Sequence, residues 1–241
     1  MPKHLEGEDR GIELLFLDFL ANIFKILFLL SGSSTQETRH IVFFLGGSHA
    51  SRIQIAFSRI PNIHKFYKIE SHIQKGATIE QFQVKIDHLG PNDLLIVQLL
   101  GNDLLERQIE RYQGRICLKK FIPISEEKLE TKYLILSKLL SGIRASIYLI
   151  DNPYRHLRGN KEKVSFPGLK NYWHKKNQQL KLRFPEVTVI KHTSLLEETK
   201  RKLKISRFYA SLMPDDVHFE QRIYAIIVQK LQDKIQIDKG W

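Results

Sequence analysis

Two uninterrupted apolar runs, Ile41–Leu45 (IVFFL) and Leu94–Leu100 (LLIVQLL), restrict this chain more than any other feature. A strand with one wet face alternates apolar and polar residues. A run with almost no polar break needs cover on both faces, as a strand inside a parallel sheet has. Phe66–Ile69, Ile147–Ile150 and Val187–Ile190 read as three further strands. Segments with helical spacing lie between them: Ile53, Ala56, Phe57 and Ile60; residues 78–87; Leu129, Tyr133, Leu136 and Leu140, closed by Gly142; and Leu169–Phe184. A last helix carries Phe219, Ile223, Ile226, Ile227 and Leu231.

Five strands alternating with helices predict a three-layer α/β/α domain around a five-stranded, mostly parallel, doubly wound sheet of flavodoxin-like type. The composition agrees with one such domain. The chain has 241 residues, 42% of them apolar, which excludes wholesale disorder. Cys117 is the only cysteine, so no disulfide can form within the chain. No Asn-x-Ser/Thr acceptor is present. An intracellular protein in a reducing compartment is the expectation, with membrane association left open by the N-terminal segment and by the basic half.

That segment, residues 1–36, stands apart from the domain expected over 37–241. Residues 12–30 (IELLFLDFLANIFKILFLL) are long enough to span a bilayer, but Asp18, Asn22 and Lys25 draw a narrow polar stripe along a helix. Three readings stay open: a helix docked on a membrane surface or partner, an anchor, or a signal peptide. Ser31–Gln36 reads as a linker.

Net charge is +12 and uneven. Residues 113–212 hold 22 Lys+Arg against 8 Asp+Glu, leaving 16 against 18 elsewhere. Such a field attracts nucleic acid or an anionic membrane surface, or it simply solvates the outside. Within it, Lys170–Lys176 interleaves Tyr172, Trp173 and His174 with lysines, and Lys200–Arg207 holds five cations. Rings that stack on bases would make this a single-stranded nucleic-acid surface; the alternative packs Trp173 inward. Tyr154, Arg155 and Arg158 follow the fourth strand and would form an anion or substrate rim.

In doubly wound sheets ligands bind beyond the carboxyl ends of the strands. Gly46-Gly47-Ser48-His49 stands after the first strand, where Ser48 also suits a helix N-cap. Gly101-Asn102-Asp103 follows the third strand, and Pro214-Asp215-Asp216-Val217-His218 precedes the last helix. Each motif alone is ordinary loop chemistry. Together they supply a nucleophile, an amide donor and an Asp/His pair for acyl transfer. Their order, Ser first and Asp-x-x-His last, resembles the SGNH (GDSL-like) hydrolase superfamily over residues 40–235, and GGSHASR with VQLLGND looks most like SGNH domains of retrotransposon-derived reading frames.

The resemblance implies a serine esterase acting on a small-molecule, lipid or sugar acyl ester. Ser48 would be the nucleophile, His218 the base and Asp215 its orienting acid. The N–H groups of Ser48 and Gly76 and the amide of Asn102 would form the oxyanion hole. No metal or organic cofactor is implied. The pattern departs from the family at Gly47, where Asp is usual, and at Leu100, which replaces the glycine of Gly-x-Asn-Asp. His49, pointing away from Ser48 on a helix, is expected to be structural. A second function class stays open: an inactive SGNH-fold module that binds RNA or single-stranded DNA through its basic half, as the RNA-binding OSK domain of Oskar proteins does on a similar fold.

Overall fold

The computed structural model describes residues 39–153, 169–191 and 218–239. Its elements are β1 (His40–Gly46), α1 (Ser48–Ser58), α2 (Ile63–Phe66), β2 (Tyr67–Ile73), β3 (Leu94–Gln98), β4 (Leu105–Tyr112) and β5 (Arg115–Pro123). They continue with α3 (Glu126–Leu140), β6 (Ser146–Ile150), α4 (Leu169–Arg183), β7 (Thr188–Ile190) and α5 (Gln221–Lys239). Five strands form the main sheet in the order β2-β1-β3-β6-β7, every neighbour parallel. This is the flavodoxin-like doubly wound order. The chain moves outward from β1 to β2 and then crosses back to β3, so the crevice of the switch point opens between β1 and β3.

The apolar runs earn their cover residue by residue. Val42 and Phe44 of β1 and Leu94 and Ile96 of β3 join Ile53 and Phe57 of α1 and Ile223, Ile227 and Leu231 of α5 in one core cluster. Phe43, Leu45, Leu95 and Val97 point the other way and pack with Leu129 and Leu136 of α3 and Trp173 and Leu180 of α4. Alternation along each strand thus fills two layers at once. At the opposite end of the strands, Asp93 ties the sheet together. Its carboxylate accepts from the Ile41 N–H (2.7 Å) and the Gly90 N–H (2.7 Å), and its carbonyl accepts from Ser146 (3.1 Å).

Two elements depart from the sequence expectation. Residues 78–87 are not a helix. One 3₁₀ turn, Ile79–Gln81, is closed by a capping box between Thr78 and Gln81, and Phe82 then turns extended. Phe82, Ile86 and Leu89 still reach the core from irregular chain. Their spacing reflected burial against the sheet, which needs no helical hydrogen bonds. Second, β4 and β5 form an antiparallel hairpin outside the main sheet, turning at Gln113 (φ 47°) and Gly114 (φ 75°). Residues 1–36, with the apolar segment 12–30, lie outside the described residues. Among the described residues no helix is long and apolar enough to cross a membrane.

The turn after β1 depends on one glycine. A Cβ at Gly46 (φ 153°) would sit 2.2 Å from the Gln98 carbonyl oxygen and 2.8 Å from Ala50 Cβ. Gly46→Ala is expected to lower stability by roughly 2–5 kcal/mol, combining a glycine-only backbone with overpacking. Chemical denaturation checks this, and a change below ~1 kcal/mol would show that the strand pair can separate at no great cost.

Candidate active site

Ser48 is the first residue of α1 rather than its cap. Gly47 occupies the cap position with extended backbone (φ −90°, ψ −151°) and makes no side-chain cap hydrogen bond. The sharp exit from β1 sets Ser48 at the switch point, on the positive end of an eleven-residue helix. The segment after β2 is held beside it, because Gln74 donates its N–H to the Gly46 carbonyl at 3.0 Å.

From 170 positions later, His218 arrives just before α5. Its Nε2 lies 2.7 Å from Ser48 Oγ, and both residues are half-buried. The packing of α5 on α1 makes this meeting possible. Next to His218, Phe219 is buried in the core cluster that the two helices share. His49, the structural histidine of the sequence reading, is buried with Nδ1 2.8 Å from Tyr224 Oη. Its ring centroid stands 5.0 Å from that of His218, so the imidazole of His218 rests against a second imidazole that α5 itself holds. Adjacency to Ser48 in sequence hid this contact, which crosses between helices.

The third strand delivers Asn102. Its Nδ2 donates to the Ala77 carbonyl at 2.9 Å, tying the β3 loop to the loop that carries Gly76. Gly76 is exposed, with φ 76° and nothing within 4 Å of where a Cβ would stand. Leu100, which replaces the family glycine, adopts φ 71° and is buried. That backbone is the left-handed region, which glycine enters freely and leucine rarely. Below the loops a polar layer fixes the strand ends. Gln98 Nε2 donates to Asn152 Oδ1 (3.0 Å), and Asn177 brackets the Asn152 backbone with bonds of 3.0 and 2.8 Å.

Asp103 is buried and accepts from the Ile79 N–H with both oxygens, at 3.1 and 3.2 Å. Burial pushes its carboxyl above the ordinary range, despite those bonds and Lys132 Nζ at 3.2 Å. For Glu80 burial is the largest influence and opposes ionisation, but the hydrogen bonds from Lys132, its own backbone N–H and Thr78, with the Lys132 charge, together outweigh it and hold the carboxyl low. Lys132 itself is raised, because Glu80 and Asp103 outweigh its burial. Gly76, Asn102, Lys132 and the inner side of the β4–β5 hairpin line one cleft of about 720 Å³, which does not include Ser48 or His218 in its walls. The hairpin was legible in principle: Gln113-Gly114 between two strand-length segments is a turn signal.

Asp215, Tyr154, Arg155 and Arg158 lie outside the described residues, as does Lys200–Arg207. The 170–176 segment does not present its indole. Trp173 is buried in the core, and Tyr172 donates its hydroxyl to the Leu104 carbonyl at 2.8 Å. Lys176, one of the cations expected on the surface, is also buried, with Nζ 2.5 Å from Glu126 and 5.3 Å from the Tyr172 ring centroid. Of the two readings of Trp173, stacking platform or inward packing, the structure shows the inward one. Among the described residues, no group of three or more His, Cys, Asp or Glu side chains converges to hold a metal ion.

The chain matches no protein-family model and no curated protein sequence. Solved structures do share its fold. The acetylxylan esterase Axe2 from Geobacillus stearothermophilus superposes with TM-score 0.54 at 14% identity, over 81% of this chain and 94% of that one. Two further structures of that esterase are catalytic mutants, one at a serine and one at an aspartate. A Bacteroides fragilis protein assigned by name as an acylhydrolase superposes with TM-score 0.51 at 13% identity, over 87% and 92%. At such identity the likeness is one of fold. This chain has the α/β fold of these two proteins.

The raised carboxyl of Asp103 has a signed consequence. The unfolded chain ionises Asp103 near the ordinary pKa of about 3.9, while the folded chain holds the proton to higher pH. Between the two values the folded state binds more protons, so stability from this group falls as pH rises. The stability of the native chain relative to Asp103→Asn should therefore decline as pH climbs from about 4. Denaturation of both proteins across that range reads it, and parallel curves would refute it.

Proposed function

We propose that this chain is a serine esterase that hydrolyses an acyl ester of a lipid or sugar alcohol. The observation that carries the reading is the 2.7 Å contact of Ser48 Oγ with His218 Nε2 at the switch point of the sheet. A serine at a helix start is commonplace, but one whose hydroxyl meets an imidazole from the far end of the chain has a base within reach. Support also comes from the fold, shared with an acetylxylan esterase whose catalytic mutants alter a serine and an aspartate.

In this reading Ser48 Oγ attacks the ester carbonyl carbon as its proton passes to His218 Nε2. Asp215 accepts from the other ring nitrogen, fixing the tautomer and stabilising the imidazolium. The carbonyl oxygen gains negative charge and receives hydrogen bonds from the N–H groups of Ser48 and Gly76 and from the Asn102 amide, aided by the end of α1. Collapse breaks the bond to the alcohol, which leaves with the proton from His218. Water then attacks the acyl-enzyme as its proton passes to His218, which returns it to Ser48 Oγ when the bond to the acyl carbon breaks, releasing the acid and free Ser48.

Labelling with a fluorophosphonate probe tests the reading. The native chain should label, while Ser48→Ala and a heat-unfolded sample should not. A folded native chain that fails to label would overturn it. Asn102→Ala is expected to lower kcat/KM for a short acetyl ester by about 10²–10³, the usual loss for one oxyanion donor. A change below threefold would remove Asn102 from that role.

A further inference from the structure

We infer that the cleft beside Gly76 and Asn102 binds the alcohol half of the ester and that this alcohol is polyhydroxylated, a carbohydrate. The inference rests on the esterase reading and narrows it from lipid or sugar to sugar.

The chemistry of the walls separates the candidates. Two ammonium–carboxylate pairs face the cleft: Lys132 with Glu80, and Lys128 with Glu106 at 2.9 Å. All four side chains retain exposure, from 14% at Lys132 to 62% at Lys128, so a ligand can reach them. Each pair sets donors and acceptors side by side. A vicinal diol matches this arrangement, since each hydroxyl donates once and accepts twice and can satisfy both members without separating them. Thr78 and Thr131 add hydroxyls, and half-buried Phe121 on β5 offers an apolar face against which the C–H face of a sugar ring can pack.

Other ligands fit less well. A long acyl chain filling the same space would strip water from four charged groups and return no hydrogen bonds. A phosphate or polyanion would meet Glu80, Glu106 and buried Asp103 along with the lysines. The cleft also adjoins the proposed oxyanion site. Gly76 and Asn102 border it, and both are proposed oxyanion donors, so an ester carbonyl held by them has one substituent directed into it. The hairpin that supplies the outer wall begins at Leu105, three residues after Asn102.

Full-length Ser48→Ala protein, which cannot turn over, is titrated calorimetrically with acetylated xylotetraose, decanoate and inorganic phosphate. Saturable binding of the oligosaccharide alone is expected, weakened at least tenfold by Glu80→Gln and by Thr131→Val, both at exposed positions and checked for fold by circular dichroism. Fluorophosphonate labelling of the native chain reads the serine separately. Labelling without oligosaccharide binding overturns the assignment of the cleft and leaves the esterase reading in place. Decanoate or phosphate binding in its stead, or oligosaccharide binding that neither substitution weakens, also overturns it. Oligosaccharide binding to a chain whose serine never labels overturns the esterase reading on which the assignment rests.

Discussion

At the carboxyl end of β1 the backbone of Gly46 comes so near the Gln98 carbonyl that no side chain fits between the two strands. That close approach lets the chain leave the sheet within one residue and enter α1 with Ser48 as its first residue. It also leaves the Gly46 carbonyl available to Gln74, which brings the loop after β2 alongside. Ser48, Gly76 and Asn102 come from three separate strand ends, and their placement follows from how tightly β1 lies between β2 and β3. A looser strand pair would still form a sheet, but with the three loops in no fixed relation.

The main sheet could be read from the sequence because its central strands are covered on both sides. Phe43 and Phe44 are both buried on opposite faces, and only a strand with two dry faces writes such a run. Residues 78–87 misled for the converse reason. Ile79, Phe82, Ile86 and Leu89 bury at helix-like intervals while the backbone between them is irregular, so periodicity recorded burial and not hydrogen bonding. The hairpin left a weaker trace. It forms a separate two-stranded sheet, and its strands carry charged residues through both segments in place of an apolar run.

For the site, single residues were nearly silent. Ser48, Asn102 and His218 are each ordinary at a helix start or turn, and what singled them out was a resemblance spread over four motifs. Composition could not have found the contact of His49 with Tyr224 and His218, residues 175 and 169 positions away. Nor could it tell that Trp173, among lysines in sequence, is a core residue in space. Helix α4 has a charged outer side and a buried inner one, and Lys176 lies on the inner side because Glu126 and the Tyr172 ring receive its ammonium. Amphipathic helices of this sort look like binding surfaces when only composition is counted.

Leu100 shows a different relation between sequence and shape. A leucine in left-handed backbone carries a penalty of about 1–2 kcal/mol that glycine would not, yet burying the same side chain returns roughly 1.5–3 kcal/mol. The residue is thereby fastened into the core two positions before Asn102. Glycine at this point would reach the same curve but could also leave it. With leucine the loop has one rest position, and in the proposed esterase the amide it carries would be oriented before the ester arrives. Part of the ordering that binding would otherwise have to impose is thus completed when the chain folds.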